Sequence, residues 1–354
     1  MDTQNVPAAV RCRARARRPV GRTLVKSTRT PDAAARRRPA VRGTLRAARV
    51  LAAAAVLAAA MILSACGNSD PLATGGSCSG DGLIVGSANF PESETVANVY
   101  AEALRVNGFT VDTKLNIGSR EAYIPALRQC AISVIPEYTG NLLQYLDKNA
   151  TATSAADVES ALGKALGSDL AIGAPAPGED SDAVVVTRAT AQRWNLSTIA
   201  DLAAHSAEVK FGAPAEFQER AGGLPGLKKN YNLDIAADNF VPIADGGGPA
   251  TVRALVEGKV TAADIFTTSP AIAQNDLVAL RDPKHNFPAQ NVVPLLNASK
   301  KSDKALAVLN AVSAQLTTDE LLRLNEAVSG ARKTEPKAAA EAWVAAKGLN
   351  KPVG

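Results

Sequence analysis

The sequence predicts an α/β protein of two lobes, and three observations carry that expectation. Residues 83–135 alternate strand, helix, strand, helix, strand, the pattern of a parallel sheet with helical crossovers. A second alternation of the same kind occupies residues 183–267. Once a basic leader is set aside, 289 residues remain, more than a single hydrophobic core usually organises.

Each element has a local reason. Leu83, Ile84, Val85 and Gly86 form a short apolar run of the buried-strand type. Residues 91–106 place Val96, Val99, Ala103 and Val106 along one helical side, and Gly108 ends the helix. Residues 110–115 alternate as a strand, 119–129 form a helix and 131–135 a strand. In the second half, 183–187 is a strand, 198–202 opens a short helix, 210–212 resumes a strand, 251–257 is a helix and 261–267 a strand. The C-terminal part reads as three helices over 302–315, 318–328 and 336–347, the second opening on a Thr-Thr-Asp-Glu cap. No internal repeat is present.

Charge is partitioned along the chain. Of 39 Lys and Arg, 14 fall in residues 1–65 beside only 2 acids, which leaves 25 bases against 32 acids afterwards. The body is therefore acidic, and nucleic acid and anionic lipid surfaces are excluded as its main ligands.

Residues 50–63, VLAAAAVLAAAMIL, are apolar without interruption, follow Arg42, Arg46 and Arg49, and precede Ser64, Ala65 and Cys66. Fourteen residues of helix are too short for a hydrocarbon layer of about 30 Å. They suit the apolar region of a secretory signal. Leu63-Ser64-Ala65-Cys66 looks like a bacterial lipobox, so Cys66 is expected to carry the lipid that tethers an exported chain to the outer face of the cell membrane, with 1–65 removed and 66–80 as a polar tether. Residues 1–40 are rich in Arg, Ala and Pro without apolar periodicity; a start at Val41 would leave a normal short basic region, and a peptide from residues 1–30 in the precursor's mass spectrum would reject that start. Cys12 and Cys66 then leave Cys78 and Cys130 in an oxidising compartment, where they are expected to pair.

Catalytic chemistry has no visible home. The chain lacks GxSxG, HExxH, a SxxK/KTG set and a P-loop. Asp245-Gly246-Gly247-Gly248 reads as a turn before a helix rather than a phosphate cradle, and His205 and His285 are far apart with no Cys/His cluster, so neither a cofactor nor a metal is expected.

Four segments are more specific: Gly86-Ser87-Ala88-Asn89-Phe90; Pro136-Glu137-Tyr138-Thr139-Gly140; Pro214-Ala215-Glu216-Phe217 through Arg220 with Gly226-Leu227-Lys228-Lys229-Asn230-Tyr231; and Phe287-Pro288 leading to Pro294. In that order they resemble the substrate-binding proteins of osmoprotectant ABC transporters, the glycine betaine, carnitine, choline and proline class, over about 82–349. The resemblance implies a type II periplasmic-binding-protein fold, with lobe 1 from 81–178 plus 292–354, lobe 2 from 179–291, two crossovers between them and the ligand in the cleft. It implies a monomeric, non-enzymatic receptor that hands a small solute to an ABC permease and its ATPase.

Members of that family cage a methylated ammonium between tyrosines, because ring faces are negative and such a cation is cheap to desolvate. Transferred one position at a time, Tyr138 keeps its ring, Phe266 stands for a second tyrosine without the hydroxyl, Gln290 replaces a third and Asp182 a fourth. Arg220 matches the carboxylate-binding arginine, Ala88 replaces a lysine and Asn141 a threonine, beside Asn89 in the first loop. Two readings of the pocket follow. Asp182 and Arg220 grip a zwitterionic or methylated osmolyte, or Gln290, Asn141 and Asp182 form a hydrogen-bonding pocket for a polyol, sugar or polyphenol-like solute. A surface lipoprotein enzyme acting on envelope glycans is the remaining alternative.

Overall fold

The computed structural model describes Cys78, Gly80 and residues 82–352. The leader, the lipobox with Cys66 and nearly all of the tether lie outside the described residues. Among the described residues, no helix is long and apolar enough to cross a membrane.

The described residues build two five-stranded sheets from ten strands: β1 (Leu83–Gly86), β2 (Val111–Lys114), β3 (Val134–Tyr138), β4 (Leu170–Ile172), β5 (Val184–Thr187), β6 (Phe211–Ala213), β7 (Phe240–Pro242), β8 (Ala262–Asp264), β9 (Leu277–Ala279) and β10 (Val292–Asn297). The first sheet has the order β2-β1-β3-β10-β4 and the second β7-β6-β8-β5-β9. Strands β2, β1 and β3 run parallel, as the βαβ alternation requires, and so do β7, β6 and β8. The sheets are nevertheless mixed. β10 returns from the second lobe and lies antiparallel between β3 and β4, while β5 lies antiparallel between β8 and β9. Pro294 of β10 stands opposite Pro136 of β3, where neither residue has an N–H to exchange, so proline is tolerated inside a fully buried strand.

Two crossovers join the lobes and hold one another. Glu179 bridges Asn291 in antiparallel fashion, the Asp180 N–H donates to the Gln290 carbonyl at 3.1 Å, and the Val292 N–H donates to Gly178 at 3.2 Å. Any side chain at Gly178 would collide with the Leu316 carbonyl, 2.6 Å from an added Cβ, so glycine lets this crossover pass against lobe 1.

The C-terminal helices Asp303–Ser313, Thr318–Ser329 and Pro336–Ala346 gather on the Pro91–Val106 helix around Tyr100, Leu104, Val308, Leu309, Val312, Leu324 and Trp343. Ser302 and Thr317 cap the first two by accepting from the N–H groups of Ala305 and Glu320, and Pro336 starts the third. A second core in the other lobe centres on Phe211, Phe217, Leu227 and Tyr231. Cys78 and Cys130 form a disulfide with Cα atoms 5.3 Å apart, tying the start of the described chain to the turn after the Arg120–Arg128 helix.

Candidate functional site

A cavity of about 250 Å³ lies where the lobes meet. Four aromatic side chains line it, Tyr123 of the Arg120–Arg128 helix and three that cluster together. Phe90 stands at the N-cap of the Pro91–Val106 helix, Tyr138 ends β3, and Phe266 follows β8 from the opposite lobe. Phe90 meets Phe266 edge to face at 5.0 Å between centroids, and Tyr138 at 6.0 Å in a tilted arrangement. Gly246 and Gly247 bring the loop before the Pro249–Val256 helix onto Phe90 and the Asp264 carbonyl; both have positive φ (56° and 75°), and an added Cβ at either would lie 3.0 Å from those neighbours.

The polar side of the cavity follows from strand register. β5 and β8 pair Val184 with Asp264, and the ladder continues through Ile265 N–H to the Ala183 carbonyl and Thr267 N–H to the Ser181 carbonyl. With a period of two, Asp180 and Asp182 on one strand and Asp264, Phe266 and Thr268 on the other project to the same side. Asp180, Asp182, Asp264 and Phe266 line the cavity. The Thr268 N–H donates to Asp180 at 2.9 Å, and Asn141 of lobe 1 donates to Asp182 at 2.7 Å. One carboxyl oxygen of Asp264 is buried without any partner. Burial first, and then the neighbouring Asp182, push the Asp264 carboxyl well above the usual carboxylate range; burial and then Glu92 do the same to Asp180.

Both arginines of the cavity are already engaged. Arg120 pairs with the fully buried Glu137 at 2.9 Å, and Glu137 also accepts from the Tyr123 hydroxyl and, at 2.8 Å, from the Tyr138 N–H. Burial acts to discharge the Arg120 guanidinium, but Glu137 outweighs it and holds the proton more firmly than usual. Arg220 reaches across the cleft to Glu121 at 3.3 Å and to Glu216 of its own lobe at 3.4 Å. Glu92 is a second junction between the lobes. It accepts from Tyr138 Oη at 2.7 Å, Thr268 Oγ1 at 2.6 Å and Asn325 Nδ2 at 2.5 Å.

Tyr138, Asp182, Arg220, Phe266, Asn141 and Asn89 all line the cavity, and Asn89 also donates to the Ala244 carbonyl of the other lobe at 3.2 Å. Gln290 is corrected. It is fully buried, does not line the cavity, and its carbonyl oxygen accepts from the Asn141 N–H at 2.9 Å. It fixes Asn141 rather than meeting a solute, because its side chain is buried against the first turn of the Thr139–Leu146 helix. Asp245 caps the Pro249–Val256 helix by accepting from Ala250 N–H and Thr251 Oγ1, both at 2.6 Å, so the triple-glycine loop is a structural turn.

Phe90, Arg120, Tyr123, Asp180 and Asp264 were not singled out by sequence reasoning, yet all line the cavity. A signal existed for two of them: Asp180 lies two residues before Asp182, and Asp264 two before Phe266, so strand alternation places each beside an expected site residue. Phe90 stood inside a quoted motif, but only its contact with Phe266 from the other lobe gives it a role.

Two α/β lobes joined by paired crossovers, with a cavity of mixed aromatic and charged walls at the joint, define the type II periplasmic binding proteins. Residues 81–346 match the family model described as the substrate binding domain of ABC-type glycine betaine transport systems, and the chain belongs to that family. It is similar to the glycine betaine-binding protein YehZ of Escherichia coli (strain K12), 27% identical over 278 residues that cover 75% of this chain and 91% of that protein. The carnitine transport binding protein OpuCC of Listeria monocytogenes is 24% identical over 290 residues, covering 76% and 88%. Among solved structures, that of a glycine betaine/carnitine/choline ABC transporter superimposes with a TM-score of 0.60 at 22% identity over 76% of this chain and 100% of that one, a likeness of fold. The chain is thus the substrate-binding component of an ABC importer of the glycine betaine class.

Proposed function

We propose that this chain is an exported, lipid-anchored receptor that closes its lobes, 81–178 with 292–354 and 179–291, around a small solute bearing a methylated ammonium head and releases it unchanged to a permease. The observation that carries this reading is the meeting of Phe90, Tyr138 and Phe266 in the same cavity as Asp180, Asp182 and Asp264. Ring faces and carboxylates attract the same kind of group, a weakly hydrated cation, and each ring contributes about 0.5–2 kcal/mol. The polyol, sugar or polyphenol reading loses support, because Asn141 spends its amide on Asp182 and Gln290 is out of reach. A non-enzymatic role is supported by the absence of a nucleophile motif in the sequence and by a family of solute binders. Membrane attachment through Cys66 rests on the lipobox-like sequence.

Thermal shift and titration calorimetry with tetramethylammonium, choline, carnitine, glycine betaine, proline, sorbitol, trehalose and a plant phenolic test the ligand class. Saturating ligand raises the melting temperature by mass action. At least one methylated ammonium compound is expected to do so; a shift with a polyol or phenolic alone would reject the proposal. Cys66→Ala is expected to move the chain from the membrane fraction to the medium.

A further inference from the structure

Resting on the reading above, the charge in the cleft goes further and names the kind of ammonium compound. Three aspartates face the cavity, and among the described residues no lysine, arginine or histidine forms an ion pair with any of them. The two arginines that could bind a ligand carboxylate already have carboxylate partners, Arg120 in Glu137 and Arg220 in Glu121 and Glu216. Asp264 is 2% exposed and leaves one oxygen without a partner, which a buried acid does not do at no cost. The ladder pairs Asp264 with Val184, and the period of two sets Asp182 on the same face, diagonally beside Asp264 in the same cavity wall. On Asp264 the push of burial and of Asp182 outweighs the pull of Arg220. The strands that carry Asp182 and Asp264 pair within one lobe, so their placement on a common face does not depend on lobe closure.

We propose that the Asp182–Asp264 pair selects a ligand of net positive charge, without a carboxylate, and gives up a proton when that ligand arrives. The ammonium head takes the position of the shared proton's charge, and the proton leaves to solvent, so charge in the cleft is conserved. Two cations also act on the pair, Arg220 on Asp264 and Arg120 on Asp182, each already ion-paired elsewhere, and charged groups surround it from both lobes. From lobe 1 these are Arg120 with Glu137, and Glu121; from lobe 2, Arg220 with Glu216; from the crossover, Asp180 with Glu92 behind it. The upward displacement of the Asp264 carboxyl by burial and Asp182 agrees with a shared proton.

The test is calorimetry of the full chain with tetramethylammonium, choline and glycine betaine at one pH in phosphate, HEPES and Tris, then across pH 5 to 8. The expected enthalpy for the two cations changes linearly with buffer ionisation enthalpy, with a slope approaching one proton released. Their affinity falls about tenfold per pH unit below the titration of the pair. Glycine betaine, which brings a carboxylate, binds more weakly than choline. In Asp264→Asn the buffer dependence disappears while tetramethylammonium still binds through the rings. Buffer-independent enthalpies for the cations, or glycine betaine binding as tightly as choline, would overturn the inference and leave the ammonium receptor standing. Failure of all three ligands to bind would instead overturn the proposed function beneath it. Should Asp264→Asn not fold, the buffer series on the unaltered chain decides alone.

Discussion

Replacing Thr268 by valine tests whether lobe closure is built into the binding energy. Thr268 belongs to the second lobe, and its hydroxyl donates to Glu92 at 2.6 Å and accepts from Asn325 at 2.9 Å, both in the first lobe. Valine keeps the shape and removes both bonds. Glu92 retains Tyr138 and Asn325, and the Thr268 N–H to Asp180, which organises the strand ladder, is a backbone contact that the substitution leaves in place. A hydrogen bond to a charged group is worth about 1.5–3 kcal/mol. Lost from the closed form alone, that is a roughly 10- to 150-fold weaker closing equilibrium, and apparent affinity falls by the same factor because only the closed form holds the solute on all sides. Calorimetry with choline reads the affinity, and small-angle scattering reads the compaction on ligand addition. An affinity within twofold of the unaltered chain would refute the claim that these contacts hold the closed cleft.

Phe90→Ala and Phe266→Ala should each weaken ammonium binding by the loss of one ring face, about 0.5–2 kcal/mol or roughly 2- to 30-fold by titration calorimetry, and unchanged affinity in both would remove the rings from the site. Removing the disulfide with Cys78→Ser and Cys130→Ser frees a segment of 52 residues in the unfolded chain, so guanidinium unfolding should show a loss of about 4 kcal/mol on the chain-entropy account. An unshifted midpoint would contradict it. Asp180 holds its proton more tightly in the folded protein than in the unfolded chain, because burial and then Glu92 raise it. Its contribution to stability is therefore complete below about pH 4 and is lost as pH rises through the folded value, so Asp180→Asn should be more stable than the unaltered chain at pH 8 and nearly equal to it at pH 4. The opposite order in chemical denaturation would reject that sign.

Several features of this protein are local, and a local pattern is enough to read them. The Leu83–Gly86 run, the capped Thr318–Ser329 helix and the strand-helix alternation each depend on neighbours within a few residues. Tyr138, Asp182, Arg220 and Phe266 lie in or beside short motifs that the sequence alone displays, and all four line the cavity. β10 was not, since a proline in its middle argues against a strand until Pro136 is found opposite it. The cleft itself could be decided only by tertiary structure. Glu92 meets Tyr138 across 46 residues and Asn325 across 233, and Phe90 meets Phe266 from the other lobe. Gln290 looks like a site residue by its place in a motif, and its burial against Asn141 makes it a support. Period and capping are properties of adjacent peptide units, whereas the charge balance of a pocket depends on which distant side chains neutralise one another once both sheets are folded.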